Sequence, residues 1–305
     1  MIAGVTFARE RQTSGNPANE VLMAIRAQQV VDRITKNLDA PWKESITDVF
    51  LDGNPDAPVA GIATTFTPSF DVLRRAVEGH KNLIVCREPA YYIEPRPPSS
   101  SNSGQPASDS AAAKDQTIAF KKEFVARNNL VLWRLYENWN SRKVDGQLKG
   151  LARALGWEKY HRSRAKDEPY QWGDLFFEIP EISLLSLARS IQTGMKDQGI
   201  RVVGDRQTRV KKVAVTHGFF RVPDLQQVLR EPGVDAILIG EPVEWEASPY
   251  FEDIVAAGQK KGMIILGHQV SEEPGSGEVA SWLRTFINEI PIEWIPSGEP
   301  FWVPK

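Results

Sequence analysis

Short apolar runs alternate with amphipathic segments along most of the chain. The apolar runs predict buried strands at 59–66, 82–86, 130–135, 213–216, 235–239 and 262–267. Apolar residues at helical spacing predict helices at 69–79, 118–128, 183–193, 250–259 and 278–289, and a further helix beginning near residue 27. Ser69 is the expected N-cap of helix 69–79, and Gly79 is expected just past its end. Strands that alternate with helices predict a two-lobed α/β protein with parallel or mixed sheets.

Two segments lack this periodicity. Residues 1–26 are interpreted as a flexible tail, with the stump of a longer leader as the alternative. Residues 94–116, rich in Ser, Pro, Gly and Ala, are predicted to be a disordered surface insertion. The remaining chain divides into a first lobe of residues 27–128 with 276–305 and a second lobe of residues 129–275.

Composition narrows the range of functions. The 305 residues carry 37 Lys and Arg against 39 Asp and Glu, so a net charge of −2 gives no overall attraction to nucleic acid or to an anionic membrane. A single Cys excludes an intramolecular disulfide and a four-Cys zinc site. Because no apolar run approaches the ~20 residues of a membrane span, a cytoplasmic location is predicted. An exported form is the alternative if the N-terminus is a truncated leader.

Candidate chemistry lies directly after the predicted strands, because ligands of open α/β sheets gather at the carboxyl ends of the strands. Arg87 and Glu88 follow one strand, and the segment YENWN (136–140) follows another. His268 follows a third strand, and Glu272 comes four residues later, one helical turn away on the same face. An imidazole beside a carboxylate suits a divalent metal such as zinc, iron or manganese. The alternative is a surface ion pair or a local hydrogen bond.

Eight segments together resemble a known family. These are KNLDAPWKES, PVAGIATTF, NLIVCREPAYY, LVLWRLYENWN, LARALGWE, IRVVGD, GHQVSEE and PSGEPFW. Their order and spacing from about residue 27 resemble the Ngg-interacting-factor-three-like family, also called GTP cyclohydrolase I type 2-like. The resemblance implies a two-lobed α/β fold, a dinuclear metal centre in the cleft between the lobes, and assembly as a hexameric ring.

The resemblance also implies a set of metal ligands. His268 and Glu272 match one pair of ligands, Glu88 matches another position, and the remaining acidic ligand falls on Asn140, with Glu137 as a nearby substitute. Arg87 stands where the family usually has His. Arg87 has no acceptor atom and so cannot ligate a cation. It is free to pair with Glu88, Glu137 or Glu272, so we expect the centre to be reduced to one metal or lost.

Two functions follow from these residues. The first is a metal-dependent hydrolase of the cyclohydrolase kind, in which Glu137 or Glu273 acts as general base on a small, nucleotide-like substrate. The second is a non-catalytic oligomeric binding or regulatory protein in which an ion-pair cluster centred on Arg87 replaces the metals. Whether the chain is an enzyme stays open at this point. His80, His161 and His217 have no motif around them and are interpreted as structural or surface residues, and Cys86 as a buried small side chain.

Overall fold

The computed structural model describes residues 24–92, 115–162, 175–196 and 199–304. The predicted tail lies outside these residues except for its last three, of which Ile25 is buried and Arg26 forms a β-bridge with Pro58. The predicted insertion also lies outside them except for residues 115 and 116, where Asp115 caps a helix. The described part of the chain therefore begins slightly before the predicted boundary at residue 27.

Strands and helices alternate along the described chain. The strands are β1 (Phe50–Asp52), β2 (Ile62–Thr65), β3 (Leu83–Cys86), β4 (Val131–Arg134), β5 (His161–Arg162), β6 (Phe176–Ser183), β7 (Arg201–Val203), β8 (Arg209–Val215), β9 (Phe219–Phe220), β10 (Ala236–Ile239), β11 (Glu241–Pro242), β12 (Gly262–Ile265) and β13 (Ile292–Trp294). The α-helices are α1 (Ala27–Asn37), α2 (Phe70–Glu78), α3 (Gln116–Arg127), α4 (Glu137–Asn140), α5 (Gly146–Ala154), α6 (Leu184–Met195), α7 (Val222–Arg230), α8 (Glu244–Ala256) and α9 (His268–Leu283). None of these helices is both long and apolar enough to cross a bilayer.

The first sheet has the strand order β1–β4–β3–β2–β13. β13, β2, β3 and β4 pair in parallel, and β1 joins the edge antiparallel to β4. Successive residues of a strand point to opposite faces. Ile84 of β3 therefore packs in a core with α2 and α3, whereas Val85 packs in a core with α1 and the end of α9. Helices thus cover both faces of this sheet, which agrees with the complete burial of its central strands.

The second sheet has the order β5–β6–β8–β10–β12–β7. β8, β10 and β12 are parallel, and β6 and β7 flank them in antiparallel orientation. One face packs against α5 and α6, and the other packs against α7 and α8. β9 and β11 form a separate small parallel pair. The predicted two-lobed α/β fold with mixed sheets is confirmed, while a metal cleft between the lobes stays a prediction.

Helix α9 connects the two sheets. It begins directly after β12 of the second sheet, and its last turns, with Val279, Ala280 and Leu283, lie in the core of the first sheet. It packs closely against α5. The closeness is visible at Gly150, where a Cβ would lie only 2.4 Å from the Pro274 carbonyl oxygen. The residues of α9 are therefore the ones best placed to contact both lobes.

Several sequence predictions need correction. β4, which we predicted in the second lobe, pairs with β3 in the first sheet. The helix predicted at 278–289 is the end of the longer α9, and the helix predicted at 250–259 begins earlier, at Glu244. The sequence did not predict β6, α5 or α7. Helix α2 is confirmed with its caps, because the Ser69 side chain accepts a hydrogen bond from the Val72 amide and Gly79 follows the last turn.

Candidate functional site

Strand ends from both sheets meet at one site. Arg87 and Glu88 follow β3 of the first sheet, and Asn140 ends the short helix α4 that follows β4. His217 follows β8 of the second sheet, and His268 begins α9. The carboxyl ends of parallel strands are the usual place for ligands in such sheets. The structure therefore brings together the residues that follow these strand ends, and their role as a functional site stays a prediction.

A two-point ion pair between Arg87 and Glu272 occupies the centre of the site. The Arg87 Nε donates to Glu272 Oε2, and one terminal nitrogen donates to Glu272 Oε1 at 3.1 Å. The other terminal nitrogen donates to Asn140 Oδ1 at 2.9 Å. Arg87 is 6% exposed and Glu272 is 3% exposed. The guanidinium also lies 4.6 Å from the centre of the Tyr136 ring, a cation–π distance. Arg87 thus holds two residues that the resemblance assigned as metal ligands.

His217 extends this arrangement on the other side of Glu272. Its Nδ1 lies 2.8 Å from Glu272 Oε1, and its Nε2 lies 2.8 Å from Asp145 Oδ2. Asp145 is also the N-cap of α5, where Oδ1 accepts from the amides of Gln147 and Leu148. An imidazole with a carboxylate at each nitrogen is best satisfied when both nitrogens carry a proton. His217 therefore serves as a second cation beside Glu272.

Local electrostatics agree with this protonation. Burial opposes a charge on His217, but Asp145 and Glu272 outweigh it and raise the pKa of His217 to about 9. Burial likewise opposes ionisation of Glu272, yet Arg87 and His217 lower its pKa to about 2. Burial raises the pKa of Glu88 above its usual range. The centre of the site is thus an array of alternating charges near neutral pH.

Among the described residues, Glu88, His268 and Glu272 form a group of side chains that could hold a metal ion. One ligand atom from each residue lies within 4.8 Å of the others. His268 Nε2 is 3.9 Å from Glu272 Oε2, while its Nδ1 is 2.8 Å from Glu241 Oε2. The His268 ring also contacts Phe66, with ring centres 5.9 Å apart. These three residues were among the four predicted ligands, and the fourth, Asn140, reaches the group through Arg87.

The two predicted general bases, Glu273 and Glu137, form hydrogen bonds with residues outside the Arg87–Glu272 pair. Glu273 accepts from the indole of Trp294 at 2.9 Å and from the Ser297 amide at 2.8 Å. Glu137 is exposed and accepts from the Ser45 hydroxyl. A catalytic role for either residue stays a prediction.

Glycine allows the backbone to approach Glu272 closely. Gly218 has φ of +58°, and a Cβ at this position would lie 2.3 Å from Glu272 Oε1. The Gly218 amide donates to Ser271 Oγ at 3.0 Å, and Ser271 in turn donates to the His268 carbonyl at 2.7 Å. The loop after β8 therefore depends on glycine to bring His217 within reach of α9.

A cavity of about 580 Å³ lies beside His268. Gly267, His268 and Gln269 line one side, while Glu299, Pro300 and Phe301 from the C-terminal segment line another. Its volume falls in the range of small-molecule sites, about 300–1,000 Å³.

These residues do not fit a dinuclear metal centre. Arg87 offers no lone pair, and Asn140 Oδ1 already accepts from it. Glu272 Oε2 accepts from Arg87 as well, so even a single ion would have to compete with a guanidinium for that oxygen. The donor set therefore suits one ion at most, held by Glu88, His268 and Glu272.

Comparison with known proteins identifies the family. The model of the Duf34/NIF3 (NGG1p interacting factor 3) family matches residues 25–299. The chain belongs to this family. A relative named GTP cyclohydrolase 1 type 2 homolog, from Clostridium acetobutylicum, is 23% identical over 274 residues, which is 88% of this chain and 94% of the relative.

Solved structures of Duf34/NIF3 type share the fold. The crystal structure of the Staphylococcus aureus hypothetical protein SA1388 superposes with a TM-score of 0.66 at 16% identity, covering 92% of this chain and 99% of that one. A Bacillus cereus protein related to NIF3 gives a TM-score of 0.65 at 13% identity with the same coverage. At these identities the likeness shows the fold alone.

Sequence reasoning missed His217 and Asp145. His217 was interpreted as structural or surface, although it directly follows the strand predicted at 213–216. Applying the strand-end rule to that strand as well would have placed it with Arg87, Glu88 and His268. Asp145 carried the sequence signal of a helix N-cap only, since it precedes GQLKGLARA.

Proposed function

We propose that this chain is a non-catalytic binding or regulatory protein of the Duf34/NIF3 family, in which an ion-pair cluster centred on Arg87 replaces the metals. The observation that carries the proposal is the contact of a single guanidinium with both Glu272 and Asn140. A cation bound at this point would meet the full charge of Arg87 a few ångströms away, in a buried setting where like charges repel strongly.

The resulting site still offers a place for a ligand. The cavity beside His268 is of small-molecule size, and both polar and apolar residues line it. Binding there requires no hydrolytic step. The geometry therefore favours a protein that binds a small molecule in this cavity.

Elemental analysis tests this proposal directly. The protein would be expressed with zinc, iron and manganese supplied and purified without a chelator. We expect far less than one metal ion per chain and no hydrolysis of GTP in the presence of any of the three metals. Two tightly bound metals per chain would contradict the proposal.

A second candidate function is a metal-dependent hydrolase with a single ion. The observation in its favour is the approach of Glu88, His268 and Glu272 to one another. A divalent ion held by these residues would supply Lewis-acid activation of water. Isothermal titration of the metal-free protein with zinc distinguishes the two functions, since this one requires a single site that His268→Ala abolishes.

Assembly and location are also part of the proposal. We propose a hexameric ring on the strength of the family resemblance, and light scattering coupled to size-exclusion chromatography would detect it as six times the mass of one chain. We propose a cytoplasmic protein, with an exported form as the alternative. Fractionation of the native cells would distinguish the two locations.

A further inference from the structure

We infer that Arg87, Glu272, His217 and Asp145 form a lock between the two lobes that works without metal, with Glu272 bridging two side-chain cations. These four residues are called the ion-pair lock below. Its role is to hold the carboxyl ends of the two sheets at a fixed separation. This goes beyond the proposed function, which concerns only what the site binds and does not bind.

Each member of the ion-pair lock comes from a different part of the fold. Arg87 follows β3 in the first sheet, and His217 follows β8 in the second. Glu272 lies on α9, which packs against both lobes, and Asp145 caps α5, which packs on the second sheet. A continuous path of hydrogen bonds thus runs from one sheet to the other through a single carboxylate.

The carboxylate of Glu272 is held on both oxygens. Oε1 receives Arg87 at 3.1 Å and His217 at 2.8 Å, and Oε2 receives a second bond from Arg87. The backbone carbonyl of Glu272 also accepts from Gln147 Nε2 at 3.1 Å, while Gln147 Oε1 accepts from the Trp139 indole at 3.1 Å. Glu272 is therefore fixed through both its side chain and its backbone.

Because the ion-pair lock is largely buried, loss of one member should affect the other members. The exposed fraction is 7% for the Arg87 side chain, 4% for Glu272 and 17% for His217. Removing one partner from a buried pair leaves an uncompensated charge and is far more harmful than losing an exposed pair. Loss of Arg87 should therefore loosen the segments that carry the other members, including those in the opposite lobe.

Hydrogen exchange measured by mass spectrometry tests the inference on the full-length chain. We expect Arg87→Met and Glu272→Gln each to raise exchange at residues 84–90 of the first lobe and 214–219 of the second, while α2 keeps its protection. The matched control is Arg127→Met, which removes an exposed pair with Glu123 and should leave both segments unchanged. Addition of EDTA to the wild type should also leave them unchanged.

Two results would overturn the inference. One is Arg87→Met with unaltered exchange at 214–219, and the other is a rise in wild-type exchange at these segments on addition of EDTA alone. If Arg87→Met does not fold, Arg87→Lys replaces it, because lysine keeps the charge but lacks the two-point geometry. The lysine variant must then show the same rise. Metal content decides the proposed function separately, so either idea can fail without the other.

Discussion

Arg87 and Glu272 lie 185 positions apart in the sequence and form a two-point ion pair in the interior of the protein. The pair joins the end of β3 to the first turns of α9. Its position is the one where the family resemblance had implied metal ligands. Where the resemblance implies a ligating side chain, this chain has a guanidinium, which offers no lone pair to a cation.

Breaking this pair should destabilise the protein more than breaking an exposed pair. We expect Glu272→Gln to lower the free energy of unfolding by about 3–5 kcal/mol, because Arg87 is left buried without a counter-charge. The double variant Arg87→Met with Glu272→Met should recover much of that loss. Urea denaturation measures both effects.

The control for this prediction is Arg209→Met, which removes an exposed pair with Glu181. It should cost less than about 1 kcal/mol. Equal losses for the buried and exposed pairs would show that burial of Glu272 is energetically unimportant.

Metal affinity should appear when the guanidinium is removed. Arg87→His combined with Asn140→Asp supplies an imidazole and a carboxylate beside Glu88, His268 and Glu272. We expect this double variant to retain zinc through dialysis when the wild type does not, as measured by elemental analysis. The control is Arg87→Met with Asn140 unchanged, which removes the charge without adding a ligand. Zinc retention by the wild type itself would contradict the expectation.

Stability should depend on pH on both sides of a plateau. The pKa of His217 rises from 6.5 to about 9 on folding, so the folded state binds its proton more tightly. That contribution is fully present below pH 6.5 and is lost as the pH rises through 9. The pKa of Glu272 falls from 4.5 to about 2, so its contribution is present above pH 4.5 and is lost as the pH falls through 2.

The variant His217→Asn tests the alkaline side of this profile. It should flatten the decline in unfolding free energy between pH 6.5 and 9, and it should weaken the acid side only in part, because Arg87 still lowers the pKa of Glu272. Thermal or urea unfolding across that range measures the slope. An unchanged slope in His217→Asn would assign the alkaline loss to another group.

The fold was predictable where periodicity and caps agree, as in α2 with Ser69 and Gly79. β6 was missed because its sequence, FFEIPEIS, mixes a proline and two glutamates into an apolar run. α5 was missed because two glycines weaken its helical signal, although those glycines permit its close contact with Trp139 and Pro274. Tertiary packing decided these elements, and it leaves little trace in local sequence.

The site was predictable in part for a similar reason. Glu88, His268 and Glu272 follow strand ends, so a rule based on position finds them. The partner of Arg87 was not predictable, because Glu88, Glu137 and Glu272 were equally available in sequence and only the packing of α9 brings Glu272 into contact. His217 needed the same information, since its two partners come from α5 and α9.

Glycine at position 218 should be required for packing as well as for backbone conformation. Gly218→Ala places a methyl group against Glu272 Oε1, whereas Gly258→Ala meets no atom within 4 Å at a similar positive φ. We expect Gly258→Ala to cost about 1–2 kcal/mol from left-handed strain alone. Gly218→Ala should cost a further ~1–3 kcal/mol from overpacking. Equal costs in urea denaturation would exclude a packing role.

Cys86 should be inert in the native protein. Its side chain is 1% exposed and lies 3.6 Å from the Trp133 carbonyl, and burial raises the pKa of its thiol to about 12. The thiolate is the reactive form, so a thiol reagent such as Ellman's reagent should not react at pH 8. The same sample in guanidinium should release one equivalent, because the chain has a single Cys. Rapid native reaction would indicate an open path to β3.

The connectivity of α9 and β13 has a consequence for biosynthesis. The second sheet is built from residues 161–265, a continuous stretch of chain, whereas the first sheet receives β13 only at residues 292–294. The Thr64 hydroxyl of the first sheet likewise donates to the Ser276 carbonyl, which lies 212 positions later in the chain. Domains generally fold as units during synthesis. On the ribosome, the later-translated lobe is therefore expected to fold before the earlier-translated lobe, which depends on residues 276–294 that are synthesised after the second sheet.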